Sequence, residues 1–138
     1  MDMAKPSVSN NVTPPETRYI LTLGILLAAL STAPYLLGAW LSSPDVEFTG
    51  FVIGVEDGNS YLANMLQGYE GKWLYHLPYT SEPHRAGVFF LFYLLLGKIA
   101  RLTGTPLITI FHAFRFILAP VVLFAYYQLI AYFTANAT

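Results

Sequence analysis

The chain contains no cysteine, and charged residues are scarce among its 138 residues. The lack of cysteine excludes disulfides, thiolate catalysis and cysteine-ligated metals. It also means that cysteine usage does not indicate the redox compartment. Only 11% of the residues are charged and 55% are hydrophobic. In soluble domains about 25% of the residues are charged and about 45–50% are apolar. The net charge is −1, without a long charge run, which argues against nucleic-acid binding. The composition predicts a small membrane protein or a piece of a larger one.

Catalytic signature motifs are also missing from the sequence. It has no P-loop, no Gly-x-Ser-x-Gly, no His-Glu-x-x-His and no dinucleotide fingerprint, and it has no internal repeat. The chain therefore carries no catalytic motif that would be sufficient by itself.

Three apolar runs follow a polar N-terminal tail, residues 1–18, which we predict to be disordered. The first run, residues 19–41, is uncharged and exceeds the roughly 20 residues that cross a bilayer. A signal peptide would have a shorter apolar region of about 7–15 residues, so we predict a retained transmembrane helix. The second run, 86–102, is short, and the third, 105–133, is long enough to cross with tilt. Residues 134–138 form a short tail.

Basic residues predict the orientation of these runs. Lys5 and Arg18 precede the first run, and Lys98 and Arg101 lie between the second and third. Both groups are expected in the cytoplasm, so that the segment 42–85 lies outside the plasma membrane. That segment is rich in acids: Asp45, Glu47, Glu56, Asp57, Glu70 and Glu82. The prediction is an all-α integral membrane protein with three transmembrane helices, a cytoplasmic N-terminus and an exterior C-terminus.

The exterior segment contains the pattern of a short amphipathic helix over residues 58–69. Its apolar residues recur at helical spacing: Tyr61, Leu62, Met65, Leu66 and Tyr69. Such a stripe predicts a helix lying flat at the membrane surface. Asp57 stands where an N-cap belongs, so helix capping is one explanation of this acid. Glu56 alone is typical of a solvated charge.

Aromatic and polar residues crowd the second half of the exterior segment. Trp73 and Tyr75 are typical of an interfacial aromatic belt, although aromatic faces also stack on sugar rings. Tyr79, Glu82 and His84 fit a belt less well, because they are polar and clustered. The histidines and acids of this segment are residue types that bind divalent cations, so a cation site remains an alternative, but no recognised ligand spacing is present.

His112 and Arg115 lie three residues apart inside the third apolar run. Ionisable residues within a membrane are costly and are often functional. The favoured interpretation is that this helix begins near the cytoplasmic surface, where Arg115 extends to the interface.

The order of these parts resembles the N-terminal region of the C-type superfamily of integral-membrane glycosyltransferases. The resemblance rests on a first apolar span, an exterior segment that contains the acidic pair of "EDGNSYLANMLQGYEG", and the amphipathic pattern that follows the pair. Members transfer a sugar from a polyprenyl-phosphate carrier to an acceptor outside the membrane. They have more helices than this chain, so the resemblance implies that further helices of a longer chain complete the carrier site.

The resemblance also implies roles for individual residues. Asp57 would be the catalytic base, and Glu56 would support it or bind a divalent cation. Substrate-binding positions would be Tyr79, Glu82, His84 and Arg85.

Two other functions remain open from the sequence. The chain could be a small non-catalytic accessory protein whose exterior segment binds a partner. A piece of a transporter or channel would use His112 and Arg115 as a pathway, but repeated or broken helices are lacking.

Overall fold

Helices make up most of the chain in the computed structural model, which describes residues 14–135. In chain order they are α1 (Pro14–Trp40), α2 (Val55–Tyr69), α3 (Leu91–Thr103) and α4 (Leu107–Ala135). No strand occurs within the described residues, where extended pairing is limited to isolated bridges. The predicted all-α class is therefore confirmed.

α1 and α4 are long and apolar enough to cross a bilayer, over Glu16–Trp40 and Leu107–Thr134. A core helix of a soluble protein would be mostly buried. Here only 11% and 6% of the two most apolar stretches are buried, so their side chains face outward as lipid-facing residues would. This supports the predicted association with a membrane.

The chain divides into two compact units, and each long helix contributes to both. The first unit combines the chain up to Ser31 with the chain from Arg115 onward, and the second comprises Thr32–Phe114. The second unit contains α2, α3 and the segments that connect them to the long helices.

Within the first unit, α1 and α4 run antiparallel. Three contacts define their directions: Glu16 with Tyr127, Gly24 with Pro120, and Ser31 with Arg115. Residue numbers rise along α1 as they fall along α4. Gly24 permits a close approach, because a Cβ at this position would lie 2.6 Å from the Pro120 Cα atom. Small residues commonly allow membrane helices to pack in this way.

In the second unit, α2 and α3 cross with their backbones in contact at two glycines. A Cβ on Gly68 would overlap the backbone of Leu94, and a Cβ on Gly97 would overlap the carbonyl group of Met65. No side-chain rotation relieves an overlap with backbone, so only glycine fits at either position.

An apolar core surrounds this crossing. Its buried members are Met65, Leu96, Ala100 and Ile110. Partly buried residues from α2, α3 and the start of α4 pack against them: Leu62, Tyr93, Ile99, Leu107, Phe111 and Phe114. The apolar stripe predicted for α2 thus packs partly on protein, with Met65 completely buried.

α3 is shorter than the second apolar run predicted. The run covers 86–102, but the helix begins at Leu91 because the preceding residues are extended, with Gly87 paired to Tyr75. Phe90 then turns the chain with a left-handed φ of 50°. The 13 residues of α3 span about 20 Å, less than the roughly 30 Å of a bilayer core. The three-span prediction is therefore not confirmed.

The basic residues of α3 bind the C-terminal end of α2. Lys98 Nζ donates to the Gly71 carbonyl oxygen at 3.0 Å and lies 4.0 Å from the centre of the Trp73 ring. Arg101 Nη1 donates to the Tyr69 carbonyl oxygen at 3.3 Å. Cations at the end of a helix complement its dipole and its unpaired carbonyl groups. These contacts give both charges a structural role inside the second unit.

Replacing Gly97 by Ala should separate α2 from α3 and destabilise the second unit by about 3 kcal/mol, the upper part of the range for overpacking. Thermal unfolding of the detergent-purified protein, followed by circular dichroism, measures the loss. Gly104→Ala is the matched control, because Gly104 has a φ of 67° with open space around it. Left-handed strain alone should cost about 1–2 kcal/mol there. Equal loss in both variants would contradict the close crossing.

Candidate functional site

α2 begins one turn before the predicted position, and this changes the setting of the acidic pair. Gly54 is the residue before the helix, with left-handed φ 65° and ψ 47°, and its carbonyl oxygen accepts from the Gly58 N–H at 2.9 Å. Glu56 and Asp57 consequently lie in the first turn of α2. The interpretation of Asp57 as the N-cap is therefore wrong, because glycine adopts the left-handed conformation that starts the helix earlier.

Both carboxylates of the pair are exposed at this end of α2. Acids in a first turn are stabilised by the helix dipole and by the free N–H groups there. Among the described residues, no salt bridge involves Glu56 or Asp57, whereas Glu70 at the other end pairs with Lys72 at 3.1 Å. The two carboxylates are thus exposed on a regular helix that is held in place by its packing against α3.

Tyr79 of the predicted substrate-binding set is attached to the same end of α2. Its hydroxyl donates to Ser60 Oγ at 2.9 Å, and the Ser60 hydroxyl donates to the Glu56 carbonyl oxygen at 3.1 Å. Ser60 lies one turn after Glu56, so this chain of hydrogen bonds brings the Tyr79 side chain within about one helical turn of the acids. This is the point at which the structure brings two predicted groups together.

A buried amide holds the rest of the segment that carries Tyr79. Gln67 Nε2 donates to the His76 carbonyl oxygen, and its Oε1 accepts from the His76 N–H, both at 2.9 Å. Next to this contact, Tyr75 and Gly87 exchange two backbone hydrogen bonds of 2.9 and 3.0 Å. Burial raises the pKa of the Tyr75 phenol, and nearby Tyr79 adds a smaller effect in the same direction. We call residues 75–87 the strap.

His84 stabilises the strap through both ring nitrogens. Nε2 accepts from the Leu77 N–H at 3.0 Å, which makes Nδ1 the protonated nitrogen that donates to the Glu82 carbonyl oxygen at 2.9 Å. The His76 ring packs edge-on against the His84 ring at 4.0 Å between centroids. His84 therefore shapes the strap, rather than presenting a free nitrogen to a substrate.

The other two predicted substrate-binding residues are placed more loosely. The Glu82 N–H donates to Thr80 Oγ1 at 3.1 Å, and the residue itself is exposed. Arg85 is likewise exposed on the strap. Within the described residues, no hydrogen bond or salt bridge links either side chain to α2.

No group of three or more histidine or acidic side chains that could hold a metal ion occurs among the described residues. Glu56 and Asp57 are adjacent and could supply at most part of a ligand set. His84 is not available as a ligand, because both its ring nitrogens make hydrogen bonds. The described residues thus do not assemble a divalent-cation site by themselves.

A polar stripe along α2 was missed in the sequence. Its members recur at helical spacing: Asp57, Ser60, Asn64 and Gln67. Ser60 and Gln67 hold the strap, while Asn64 is 3% exposed and its Oδ1 has no hydrogen-bond partner. The period that reveals the apolar stripe also places these four on one face, but polar spacing alone does not indicate what the residues bind.

His112 is a structural residue of the second unit. Its Nε2 lies 2.8 Å from the Gly50 carbonyl oxygen, and its ring packs on those of Tyr35 and Phe51. The start of α4 therefore lies beside Gly50, in the segment predicted to be exterior. The prediction of an exterior segment 42–85 and the interpretation that α4 begins at the cytoplasmic surface therefore cannot both hold.

No known protein family, curated protein or solved structure matches the chain. Function must therefore be inferred from the residues of the site themselves.

Gln67→Glu tests whether the buried amide holds the strap. The variant keeps an acceptor for the His76 N–H but places a second acceptor against the His76 carbonyl oxygen. Loss of the donor should destabilise the strap by about 1–3 kcal/mol. Hydrogen exchange at residues 75–87 measures the effect as faster exchange.

Acid should partly restore Gln67→Glu, because a protonated carboxyl group regains a donor and burial raises the pKa of carboxyl groups. Protection is thus expected to return as pH falls through that pKa. Gln67→Leu, which cannot regain a donor, is the control. Equal behaviour of the two variants across pH would exclude the amide contact.

Proposed function

We propose that the chain is the N-terminal part of a membrane glycosyltransferase that resembles the C-type superfamily. It would transfer a sugar from a polyprenyl-phosphate carrier to an acceptor at the exterior face of the plasma membrane. The observation that supports this most directly is the exposed acidic pair in the first turn of α2, with Tyr79 attached one turn away through Ser60.

The chemistry requires a base near the membrane surface. An acceptor hydroxyl is a poor nucleophile, and a carboxylate can take its proton as the hydroxyl oxygen bonds to the anomeric carbon. The bond from that carbon to the carrier phosphate oxygen breaks, and the phosphate leaves with the electron pair. In this proposal Asp57 is the base, Glu56 supports it, and Tyr79 borders the substrate cleft.

The strap would form the other side of that cleft. Arg85 is exposed and permanently charged, and a guanidinium group stabilises the charge that develops on a departing phosphate. Glu82 would accept hydrogen bonds from sugar hydroxyls. His84 contributes indirectly, because its two hydrogen bonds fix the strap that carries these side chains.

The number of membrane crossings is part of the proposal. Antiparallel contacts between α1 and α4 favour two crossings, with α2 and α3 both on the exterior side. The contact between His112 and Gly50 supports the same arrangement. Lys98 and Arg101 do not oppose it, because segments longer than about 60 residues cross largely regardless of charge. The N-terminus then stays cytoplasmic, as predicted, whereas the end of α4 returns to the cytoplasmic side.

Asp57→Asn tests the catalytic role. Membranes containing the full-length protein would be incubated with polyprenyl-phosphate donors carrying labelled sugars, and transfer or release of label measured. Loss of a general base should lower the rate by about 10²–10⁴-fold, with unchanged expression because the side chain is exposed. Asp45→Asn, an exposed acid outside α2, should retain the wild-type rate. Equal rates for wild type and Asp57→Asn would exclude Asp57 as the base and favour an accessory protein.

Single cysteines test the crossings, since the natural chain has none. Arg101→Cys, Leu102→Cys and Ser42→Cys would be labelled in whole cells by a membrane-impermeant maleimide. Two crossings predict that all three react from outside, since Leu102 is 85% exposed. Three crossings predict that only Ser42→Cys reacts.

A further inference from the structure

The centre of the strap, residues 77–84, is closed into a loop by one histidine ring. His84 Nε2 accepts from the Leu77 N–H at 3.0 Å, and Nδ1 donates to the Glu82 carbonyl oxygen at 2.9 Å. The ring thus joins the first residue of the loop to its last part. Only a neutral imidazole has one acceptor nitrogen and one donor nitrogen, so the closed loop requires an uncharged His84.

The ends of the strap are held by groups that do not titrate in the same range. The Gln67 amide bonds both backbone polar groups of His76, and Tyr75 and Gly87 exchange two backbone hydrogen bonds. Between about pH 5 and pH 8, histidine is the side chain whose charge ordinarily changes. The contacts at the two ends therefore do not depend on a proton that is gained or lost in this range, whereas the contact with Leu77 does.

The closed strap offers little stabilisation to a charged His84. The His76 ring packs edge-on against the His84 ring at 4.0 Å between centroids, and it would carry a like charge once protonated. Among residues 14–135, no carboxylate forms a salt bridge with either histidine. Glu82 and Arg85 flank His84 in the chain and are exposed. α2 holds the strap with uncharged side chains, and its acidic pair lies in its first turn.

We infer that His84 makes the centre of the strap sensitive to acid: a proton on Nε2 opens residues 77–84, while the contacts of Tyr75, His76 and Gly87 persist. A protonated Nε2 would direct an N–H group at the Leu77 N–H, and two donors cannot share a hydrogen bond.

The direction of the effect follows from which form of the loop takes up the proton. The open loop accepts a proton on His84 Nε2 and the closed loop does not, so falling pH shifts the population toward the open loop. His84 is only partly buried, so a proton reaches it without unfolding of the helices. The inference concerns the conformation of the strap alone and does not depend on the proposed glycosyltransferase activity.

Amide hydrogen exchange of the full chain in detergent, resolved to single residues by NMR, tests this inference. Each rate is compared with that of an unstructured chain at the same pH, because the chemical exchange itself depends on pH. From about pH 8 to about pH 5, protection at Leu77 should fall about tenfold, as expected for a lost hydrogen bond. Protection at Tyr75, His76 and Gly87 should stay unchanged, which makes the ends of the strap an internal control.

Two substitutions separate His84 from other effects of acid. His84→Gln supplies an amide oxygen near the position of Nε2 that accepts a hydrogen bond and takes up no proton in this range, so protection at Leu77 should no longer depend on pH. His76→Gln removes the neighbouring imidazole ring and should leave the acid-induced fall in place, because the bond between His84 and Leu77 remains. Nitrogen chemical shifts of the imidazole rings give a second measurement, in which neutral His84 should carry its proton on Nδ1.

Four results would each overturn the inference. The first is equal protection at Leu77 across this pH range in the wild-type protein. The second is an unchanged acid-induced fall in His84→Gln, and the third is a fall of the same size at Tyr75 and Gly87, which would indicate general unfolding in acid. The fourth is a neutral His84 that carries its proton on Nε2, because that tautomer cannot accept from the Leu77 N–H.

Discussion

The backbone contact between α2 and α3 is the constraint on which the second unit depends. Gly68 and Gly97 allow two helices to approach so closely that neither position accepts a side chain. At this distance Met65 and Leu96 are fully buried, and Lys98 reaches the Gly71 carbonyl oxygen just beyond the end of α2. The crossing therefore fixes the rotation of α2 about its axis. In this rotation the acidic pair is exposed, and the amide group of Gln67 faces the strap.

The sequence predicts the elements of this fold better than their arrangement. Apolar composition identifies α1 and α4, because a long, strongly apolar run has few other solutions, and helical spacing identifies α2. The predicted start of α2 is wrong because Gly54, rather than Asp57, is the residue that precedes the helix. A glycine that adopts a left-handed conformation resembles any other glycine in a sequence, so its role appears only when the backbone is seen.

α3 shows why the sequence alone does not decide the number of crossings. Its run is apolar enough to suggest lipid, but Leu94, Leu96 and Ala100 are buried in protein. Lys98 and Arg101, which the charge rule places in the cytoplasm, bind carbonyl groups near the end of α2. Counting basic residues assumes that the membrane alone determines where each one lies. A tertiary contact adds a second determinant of position, which the count does not include.

The strap acquires a fixed position without regular secondary structure of its own. Two side chains on one face of α2, Ser60 and Gln67, hold it at points seven residues apart, or about 10 Å along the helix. The acidic pair belongs to the same helix, so the spacing between the acids and the strap follows from helical geometry. In the proposed enzyme, a cleft built in this way would be formed before a substrate arrives. Glu82 and Arg85 are exposed beyond these attachments. In the proposed enzyme, substitutions at these two positions would change what is bound while leaving Asp57 in place.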